Sequence, residues 1–147
     1  MAKILVVDDE KAARELLSKL LTKEGHKVIE AADGDQALKT VYKEWPDAII
    51  MDAILPGMSV IGVVEMIRAD FKTRKIPVLM VTAYEETKAG GIRAGIDDFI
   101  VKPFEPEELL NRVRAMLKIK DIGDELQRTL TYAEELSKLR EKKVKEK

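Results

Sequence analysis

Five polar residues stand where short apolar runs of this sequence end: Asp8, Asp9, Asp52, Thr82 and Lys102. Carboxylate oxygens, without Cys or clustered His, are the ligands that Mg²⁺ prefers in proteins. A bound cation would offset the repulsion between the adjacent Asp8 and Asp9. Thr82 and Lys102 can hold the oxygens of an anion by neutral and charge-assisted hydrogen bonds. The set therefore suits a hard cation beside a transferable anion.

Asp52 is the carboxylate predicted to react. A carboxylate that attacks phosphorus forms an acyl phosphate, the chemistry of an aspartyl-phosphate intermediate. Phosphoryl transfer depends on positioning and charge neutralisation more than on proton transfer. The proposed chemistry at Asp52 therefore needs no general base.

The pattern of apolar runs predicts how these side chains meet. The runs, at residues 4–7, 28–31, 48–51, 78–81 and 99–101, are short and apolar on both faces, as buried strands are. Apolar residues at helical spacing separate them, for example Leu16, Leu17, Leu20 and Leu21. This alternation predicts a doubly wound α/β fold with a parallel sheet. Ligands bind beyond the carboxyl ends of such strands, where the polar residues are expected to converge.

Length and composition limit the class of protein. The 147 residues suit one domain with a tail, and the net charge of -1 gives no general attraction to nucleic acid or to an anionic membrane. The absence of Cys excludes disulfides and thiolate metal sites. The first residues do not resemble a signal peptide, and no run is long enough to span a membrane. We therefore expect a cytoplasmic protein that binds neither nucleic acid directly nor membrane.

Four segments of the chain resemble the response regulator receiver domain, the phospho-accepting half of two-component signalling. In order, they are KILVVDDE, DAIIMDAILPGM, VLMVTA and DDFIVKPF. The resemblance covers residues 2 to about 119 and places a receiver domain at residues 1–119. It implies a (βα)5 fold whose five-stranded parallel sheet has the flavodoxin-like strand order 2-1-3-4-5.

The resemblance also implies a role for each site residue. Asp9 and Asp52 are expected to bind Mg²⁺ directly, Asp8 mainly through water, and the Ile54 backbone carbonyl to complete the protein ligands. Asp52 is expected to accept a phosphoryl group from a sensor histidine kinase or a phosphotransfer protein. The residues expected to hold the phosphoryl group or to switch with it are Thr82, Ala83, Lys102 and Phe99. The peptide before Pro103 is expected to be cis.

The implied function is a signalling switch rather than an enzyme that turns over a substrate. Thr82 is expected to move toward the phosphoryl group while Phe99 turns inward, which changes the surface of the last strands and helices for a partner or output domain. A plain core aromatic is the other interpretation of Phe99. One alternative function is a receiver-like protein–protein interaction module that never carries phosphate. Another is a Mg²⁺-dependent phosphatase, although those enzymes usually separate their two Asp residues by one position.

Two stretches depart from the usual pattern of the family. Ser59-Val60 stands where Asp-Gly is usual, which predicts a remodelled start of the third helix. Gly90-Gly91 falls where a fourth helix is expected and costs about 2 kcal/mol of helix propensity against Ala. That helix is predicted to be short, bent or partly melted, which puts the usual dimer mode of the family in doubt.

The residue types at Ile54 and Tyr84 indicate how long a phosphoryl group would persist on Asp52. They lie two places after Asp52 and Thr82, positions that flank the path of the hydrolytic water in the family. Both are bulky and neither is acidic. We therefore expect the chain to assist its own phosphorylation and to dephosphorylate slowly at Asp52.

Residues 120–147 are predicted to form a helical extension. The apolar residues keep a spacing of three or four, which indicates an amphipathic helix with one narrow apolar seam. The stretch YAEELSKLREK resembles linkers that join receivers to effector or kinase domains and pair as coiled coils. We expect a parallel homodimer through residues 120–145, with a lone solvated helix or a frayed tail as the alternative. The seam consists of Ile122, Leu126, Leu130, Ala133, Leu136 and Leu139.

Overall fold

A computed structural model of the chain describes residues 1–83 and 94–145. Five strands and five helices follow within these ranges. In chain order they are β1 (Lys3–Val7), α1 (Lys11–Lys23), β2 (Lys27–Ala31), α2 (Gly34–Glu44), β3 (Ala48–Asp52), α3 (Val60–Ala69), β4 (Val78–Thr82), β5 (Asp98–Val101), α4 (Pro106–Leu117) and α5 (Glu125–Lys145). The helix predicted around Gly90-Gly91 lies outside the described residues. Among the described helices, none has the length and hydropathy that a membrane span requires.

The five strands form one parallel sheet in the order β2-β1-β3-β4-β5, which confirms the predicted fold. The register aligns the carboxyl ends of the four strands that precede polar site residues. Val7 lies opposite Met51, and Thr82 lies opposite Val101. The residues at or just beyond these ends, on four different strands, are therefore carried to one edge of the sheet.

Two apolar layers cover the sheet, one on each face. Successive side chains of a strand point to opposite faces, so Leu5 and Val7 join the layer under α2 and α3. Ile4 and Val6 join the layer under α1 and α4. Because both faces are buried, every position of β1 after Lys3 must be apolar. This is the physical reason that the strands appear in the sequence as short unbroken apolar runs.

The turn before α3 takes its unusual backbone conformation at Gly57. The φ angle of Gly57 is +79°, a left-handed value that favours glycine. The helix then begins at Val60, which is buried, directly after Ser59, whose side chain makes no capping hydrogen bond. The left-handed conformation of this turn lies at Gly57, so the turn requires no glycine at residue 60.

Helix α5 folds back along α4. After α4 ends at Leu117, the chain turns, and Arg128 donates to the carbonyls of Ile119 and Ile122. Further along α5, Arg140 donates to Glu108 near the start of α4, so the two helices are antiparallel. The division of the chain into residues 1–119 and 120–147 stays a prediction.

The apolar seam predicted for α5 is divided between two faces of the helix. Leu136 is buried. Leu126 and Leu130 are instead 69% and 52% exposed. Part of the apolar seam is therefore buried by contacts within the same chain. The homodimer through residues 120–145 stays a prediction.

Candidate functional site

Three carboxylates meet at the carboxyl edge of the sheet. Asp8 and Asp9 follow β1 directly, and Asp52 is the last residue of β3. Each offers one carboxylate oxygen, and these oxygens all lie within 4.8 Å of one another. Asp8 is buried, Asp52 is half-buried and Asp9 is exposed. The structure thus brings together the three acids that the sequence predicted would converge.

Among the described residues, Lys102 is the cationic side chain that contacts these carboxylates. Its Nζ lies 3.3 Å from Oδ2 of Asp52 and 3.6 Å from Oδ2 of Asp8. It follows β5 directly, and its backbone amide donates to the Thr82 carbonyl at 2.8 Å. Burial opposes its charge, but the carboxylates of Asp52 and Asp8 outweigh burial and raise the pKa of Lys102. The ammonium group therefore stays protonated beside the acids.

The environment of Asp8 works against a third negative charge. Burial raises the pKa of Asp8, and the nearby charge of Asp52 raises it further. A hydrogen bond from the backbone amide of Glu10 at 2.9 Å and the charge of Lys102 act in the opposite direction without cancelling the rise. One ammonium group does not balance three carboxylates, so the cluster is suited to a divalent cation with oxygen ligands.

We expect Asp8→Asn to raise the free energy of unfolding at neutral pH by about 1 kcal/mol without added Mg²⁺, the size typical of a relieved unfavourable group. The raised pKa of Asp8 means that the folded chain binds this proton more readily than the unfolded chain does. Asp8 therefore lowers stability as pH rises through its folded pKa. Below the unfolded pKa of about 3.9 both states are protonated, and the difference should vanish. Denaturant unfolding of both proteins, at neutral pH and below the unfolded pKa of Asp8, measures this difference in stability.

The control for this prediction is Glu10→Gln. Glu10 is exposed, and its contact with Asp8 uses the backbone amide, which the substitution keeps. The free energy of unfolding of Glu10→Gln should stay within about 0.5 kcal/mol of wild type, as for ordinary surface changes. A lower stability of Asp8→Asn at neutral pH would contradict the argument.

The remaining predicted residues lie around the acidic cluster. The backbone amide of Ile54 donates to Oδ1 of Asp52 at 3.1 Å, and the residue itself is 56% exposed. Thr82 is buried at the end of β4, and Ala83 after it is exposed. Phe99 is partly buried and packs against the apolar layer under α2 and α3. The Lys102–Pro103 peptide is cis, and Tyr84 lies outside the described residues.

Two features at the edge of the site were not predicted from the sequence. Arg14 of α1 donates to the Asp8 carbonyl at 2.7 Å and pairs with Glu30 at 3.2 Å. An apolar groove of about 520 Å³ runs from Asp8 and Lys102 along α1. Leu16, predicted among the apolar residues of this helix, is 55% exposed and lines the groove. The other apolar residues of the groove are Ala13, Leu17, Leu20, Val81, Pro103, Phe104 and Pro106.

Comparison with known proteins identifies the family. The sequence model of the response regulator receiver domain family matches residues 4–114. The chain belongs to the response regulator receiver domain family. The phosphate regulon transcriptional regulatory protein PhoB of Escherichia coli is 41% identical over 118 residues, 79% of this chain and 52% of that protein. The DNA-binding response regulator MtrA of Mycolicibacterium paratuberculosis is 42% identical over 121 residues, 81% of this chain and 52% of MtrA.

Solved structures confirm the receiver fold. Chemotaxis response regulator CheY4 of Vibrio cholerae is 36% identical with a TM-score of 0.75, covering 79% of this chain and 98% of CheY4. Response regulator TrrA of Thermotoga maritima, solved in complex with Mg(2+)-BeF, is 35% identical with a TM-score of 0.72, covering 79% and 99%. The receiver spans almost all of these two chains but about half the length of the curated relatives PhoB and MtrA.

Proposed function

We propose that this receiver accepts a phosphoryl group on Asp52, in the presence of Mg²⁺, from a sensor histidine kinase or a phosphotransfer protein. The observation that carries the proposal is the cluster of Asp8, Asp9 and Asp52 oxygens within 4.8 Å, with Lys102 3.3 Å from Asp52. The acids suit a hard cation, and the ammonium group suits the oxygens of a transferred phosphoryl group.

Each site residue has a distinct task in this proposal. Asp9, Asp52 and the Ile54 carbonyl would hold Mg²⁺ directly, and Asp8 would act mainly through water. When bound, the ion supplies positive charge that neutralises the carboxylates and the phosphoryl oxygens. Lys102 exchanges its contact with Asp52 for a phosphoryl oxygen. The Thr82 hydroxyl and the exposed residue Ala83 border the same oxygens.

The transfer step is a displacement at phosphorus. A carboxylate oxygen of Asp52 forms a bond to phosphorus while the bond between phosphorus and the donor histidine nitrogen breaks. The imidazole leaves with the bonding electron pair and takes up a proton from its surroundings. Oδ1 of Asp52 accepts the Ile54 amide at 3.1 Å, which orients the carboxylate for attack. The products are an acyl phosphate and a neutral histidine.

The switch that follows involves Thr82 and Phe99. We propose that Thr82 moves toward the phosphoryl group and that Phe99 turns inward into the space left behind. Thr82 is already buried at the end of β4, and Phe99 is only partly buried on the neighbouring β5. Such a change alters the surface around β5 and α4, through which a partner or an output domain would respond.

The apolar groove beside α1 supports docking of the phosphodonor. It is about 520 Å³ in volume and ends at Asp8 and Lys102, close to Asp52. Leu16 adds an exposed apolar side chain to its wall. A donor protein that must bring a phosphohistidine to Asp52 would bury this groove, because apolar contact supplies most of the free energy of such interfaces.

Direct binding of nucleic acid is not part of the proposal. The relatives PhoB and MtrA are named as transcriptional and DNA-binding regulators, and the receiver spans about half of each. The net charge of -1 gives this chain no general attraction to nucleic acid. We propose that any output on DNA would belong to a further domain or to a partner.

The test is phosphorylation of the purified chain with acetyl phosphate and Mg²⁺. Mass spectrometry should show one added phosphoryl group, located at Asp52, and none without the metal. Asp52→Asn should abolish the addition, whereas Asp121→Asn, at an exposed position, should not. Absence of modification would support a receiver-like interaction module instead, and turnover of a phosphoester would support an enzyme.

The same experiment measures the persistence of the acyl phosphate. After removal of acetyl phosphate, the phosphorylated fraction should decay over many minutes or longer, because Ile54 and Tyr84 are bulky and lack an acid that could orient water. Decay within seconds would contradict this shielding.

A further inference from the structure

One stripe of helix α5 docks onto the receiver. The stripe consists of Arg128, Tyr132, Leu136 and Arg140, at every fourth position of the chain. Residues four apart in a helix lie on the same side, so the four side chains face one neighbour together. We call them the docking stripe.

The first contact of the docking stripe joins α5 to the residue before β5. Nε of Arg128 lies 2.6 Å from Oδ1 of Asp97, and its Nη2 lies 3.1 Å from Oδ2. The side chains of Arg128 and Asp97 are only 12% and 9% exposed. This bidentate pair has the geometry of a strong charge-assisted interaction.

The second contact joins α5 to β5 itself. The Tyr132 hydroxyl donates to the carboxylate of Asp98, the first residue of β5, and Arg112 of α4 donates to the same carboxylate. Leu136, one turn further along α5, is buried. Arg140 closes the stripe with a 2.6 Å hydrogen bond to Glu108.

Strand β5 connects the docking stripe to the acidic cluster. It is four residues long, lies at the edge of the sheet, and carries Asp98 at one end. Lys102 follows its other end, 3.3 Å from Oδ2 of Asp52. When α5 is docked, β5 therefore has a position in which Lys102 directly contacts Asp52.

We propose that α5 is an intramolecular latch that covers β5 and α4 through the docking stripe and loosens when Asp52 carries a phosphoryl group. The inference rests on the proposed function. A phosphoryl group on Oδ2 of Asp52 would compete for the contact with Lys102, whose Nζ lies 3.3 Å from that oxygen. The Lys102 side chain is only 35% exposed and the residue follows β5 directly, so its displacement would move the short edge strand.

Loosening of the latch would uncover a defined surface. The carboxylate of Asp98 and the guanidinium of Arg112 would lose Tyr132, and the apolar side chain of Leu136 would leave its buried position. An effect at one site requires that the two states differ in contacts at both sites. In the proposed latch, the contacts of Lys102 with Asp52 and of Asp98 with Tyr132 would both differ between the two states.

Hydrogen exchange of the full chain tests the latch directly. The probe is Mg²⁺ with beryllium fluoride, which mimics a phosphoryl group, compared with Mg²⁺ alone. The ¹⁹F NMR signal of bound fluoride reports that the site is occupied. Exchange of the amides in residues 125–141 should accelerate about 5- to 150-fold, the usual range of coupling between two sites. Peptides from β1 and β3 should not lose protection.

Two matched Tyr→Phe variants sharpen the test. Tyr132→Phe removes the hydroxyl that binds Asp98 and keeps the ring, whereas Tyr42→Phe removes a hydroxyl that binds Asp70 outside the latch. Tyr132→Phe should accelerate exchange in α5 without beryllium fluoride and should tighten beryllium fluoride binding, because coupling is reciprocal. Tyr42→Phe should change neither.

The outcomes separate this inference from the proposed function. Bound fluoride with unchanged exchange in residues 125–141 overturns the latch and leaves phosphorylation of Asp52 intact. Failure of beryllium fluoride to bind wild type overturns the proposed function, and the latch with it. If Tyr132→Phe binds the probe as wild type does while its α5 is loosened, the helix is not coupled to the site and the inference fails.

Discussion

Asp9→Ala should weaken Mg²⁺ binding more than about 100-fold and abolish phosphorylation of Asp52 by acetyl phosphate. Residues that merely orient metal ligands already contribute about 10- to 100-fold to affinity, so loss of a direct ligand should exceed that range. Asp9 is also exposed, so its removal leaves no buried cavity in the fold. Calorimetric titration with Mg²⁺ and mass spectrometry of the acetyl phosphate reaction measure the two effects.

Glu10→Ala is the matched control, because Glu10 is the next residue along the chain and is also an exposed acid. Its carboxylate is not among the three that converge, and its backbone amide, which donates to Asp8, survives the substitution. Mg²⁺ affinity and phosphorylation should stay close to wild type. Wild-type phosphorylation of Asp9→Ala, or an equal loss in both variants, would contradict the assignment of Asp9.

Asp97→Ala should lower the free energy of unfolding by about 3–5 kcal/mol, the usual effect of removing one partner of a buried ion pair. Asp97 stands between two guanidinium groups, 2.8 Å from Nη2 of Arg68 and 2.6 Å from Nε of Arg128. It also accepts the backbone amide of Val78 at 2.9 Å. Without it, the two like charges would lose the carboxylate that they share, and the backbone N–H group of Val78 would lose its acceptor. Urea unfolding followed by circular dichroism measures the loss.

The pKa of Arg68 reflects the same balance. Burial lowers the pKa of this guanidinium, and the charge of Asp97 opposes that shift. The charge of Arg128 acts with burial, which shows that the two arginines repel each other across the shared carboxylate. Asp121→Ala, at an exposed position, is the control and should change stability by less than about 0.5 kcal/mol. A loss below about 1 kcal/mol in Asp97→Ala would contradict this account.

The strands and the acidic cluster were predictable because both depend on local order in the chain. The run Ile4–Val7 is apolar at every position since both faces of β1 are covered, and a strand buried on both faces is recognisable from its own residues. A parallel sheet then brings strand ends to one edge. Asp8, Asp52 and Lys102 could therefore be placed together across long stretches of sequence.

The network around Asp97 left no comparable trace in the sequence. Arg68, Asp97 and Arg128 lie far apart along the chain and follow no periodic pattern. Their meeting depends on where α3 ends, on the approach to β5 and on the path of α5. A charged residue in the sequence is consistent with a solvated surface as well as with a buried pair, so residue type alone cannot tell these apart.

Helix α5 shows the same division most clearly. By itself, the sequence determined the doubly wound sheet, the edge at which the acids converge and the existence of an amphipathic C-terminal helix. Only the tertiary structure decided that Tyr132 and Leu136 face β5 and α4, with Leu126 and Leu130 left exposed. The reason is physical: apolar periodicity records that one face of a helix is to be covered, but the covering surface is chosen by contacts between residues distant in sequence.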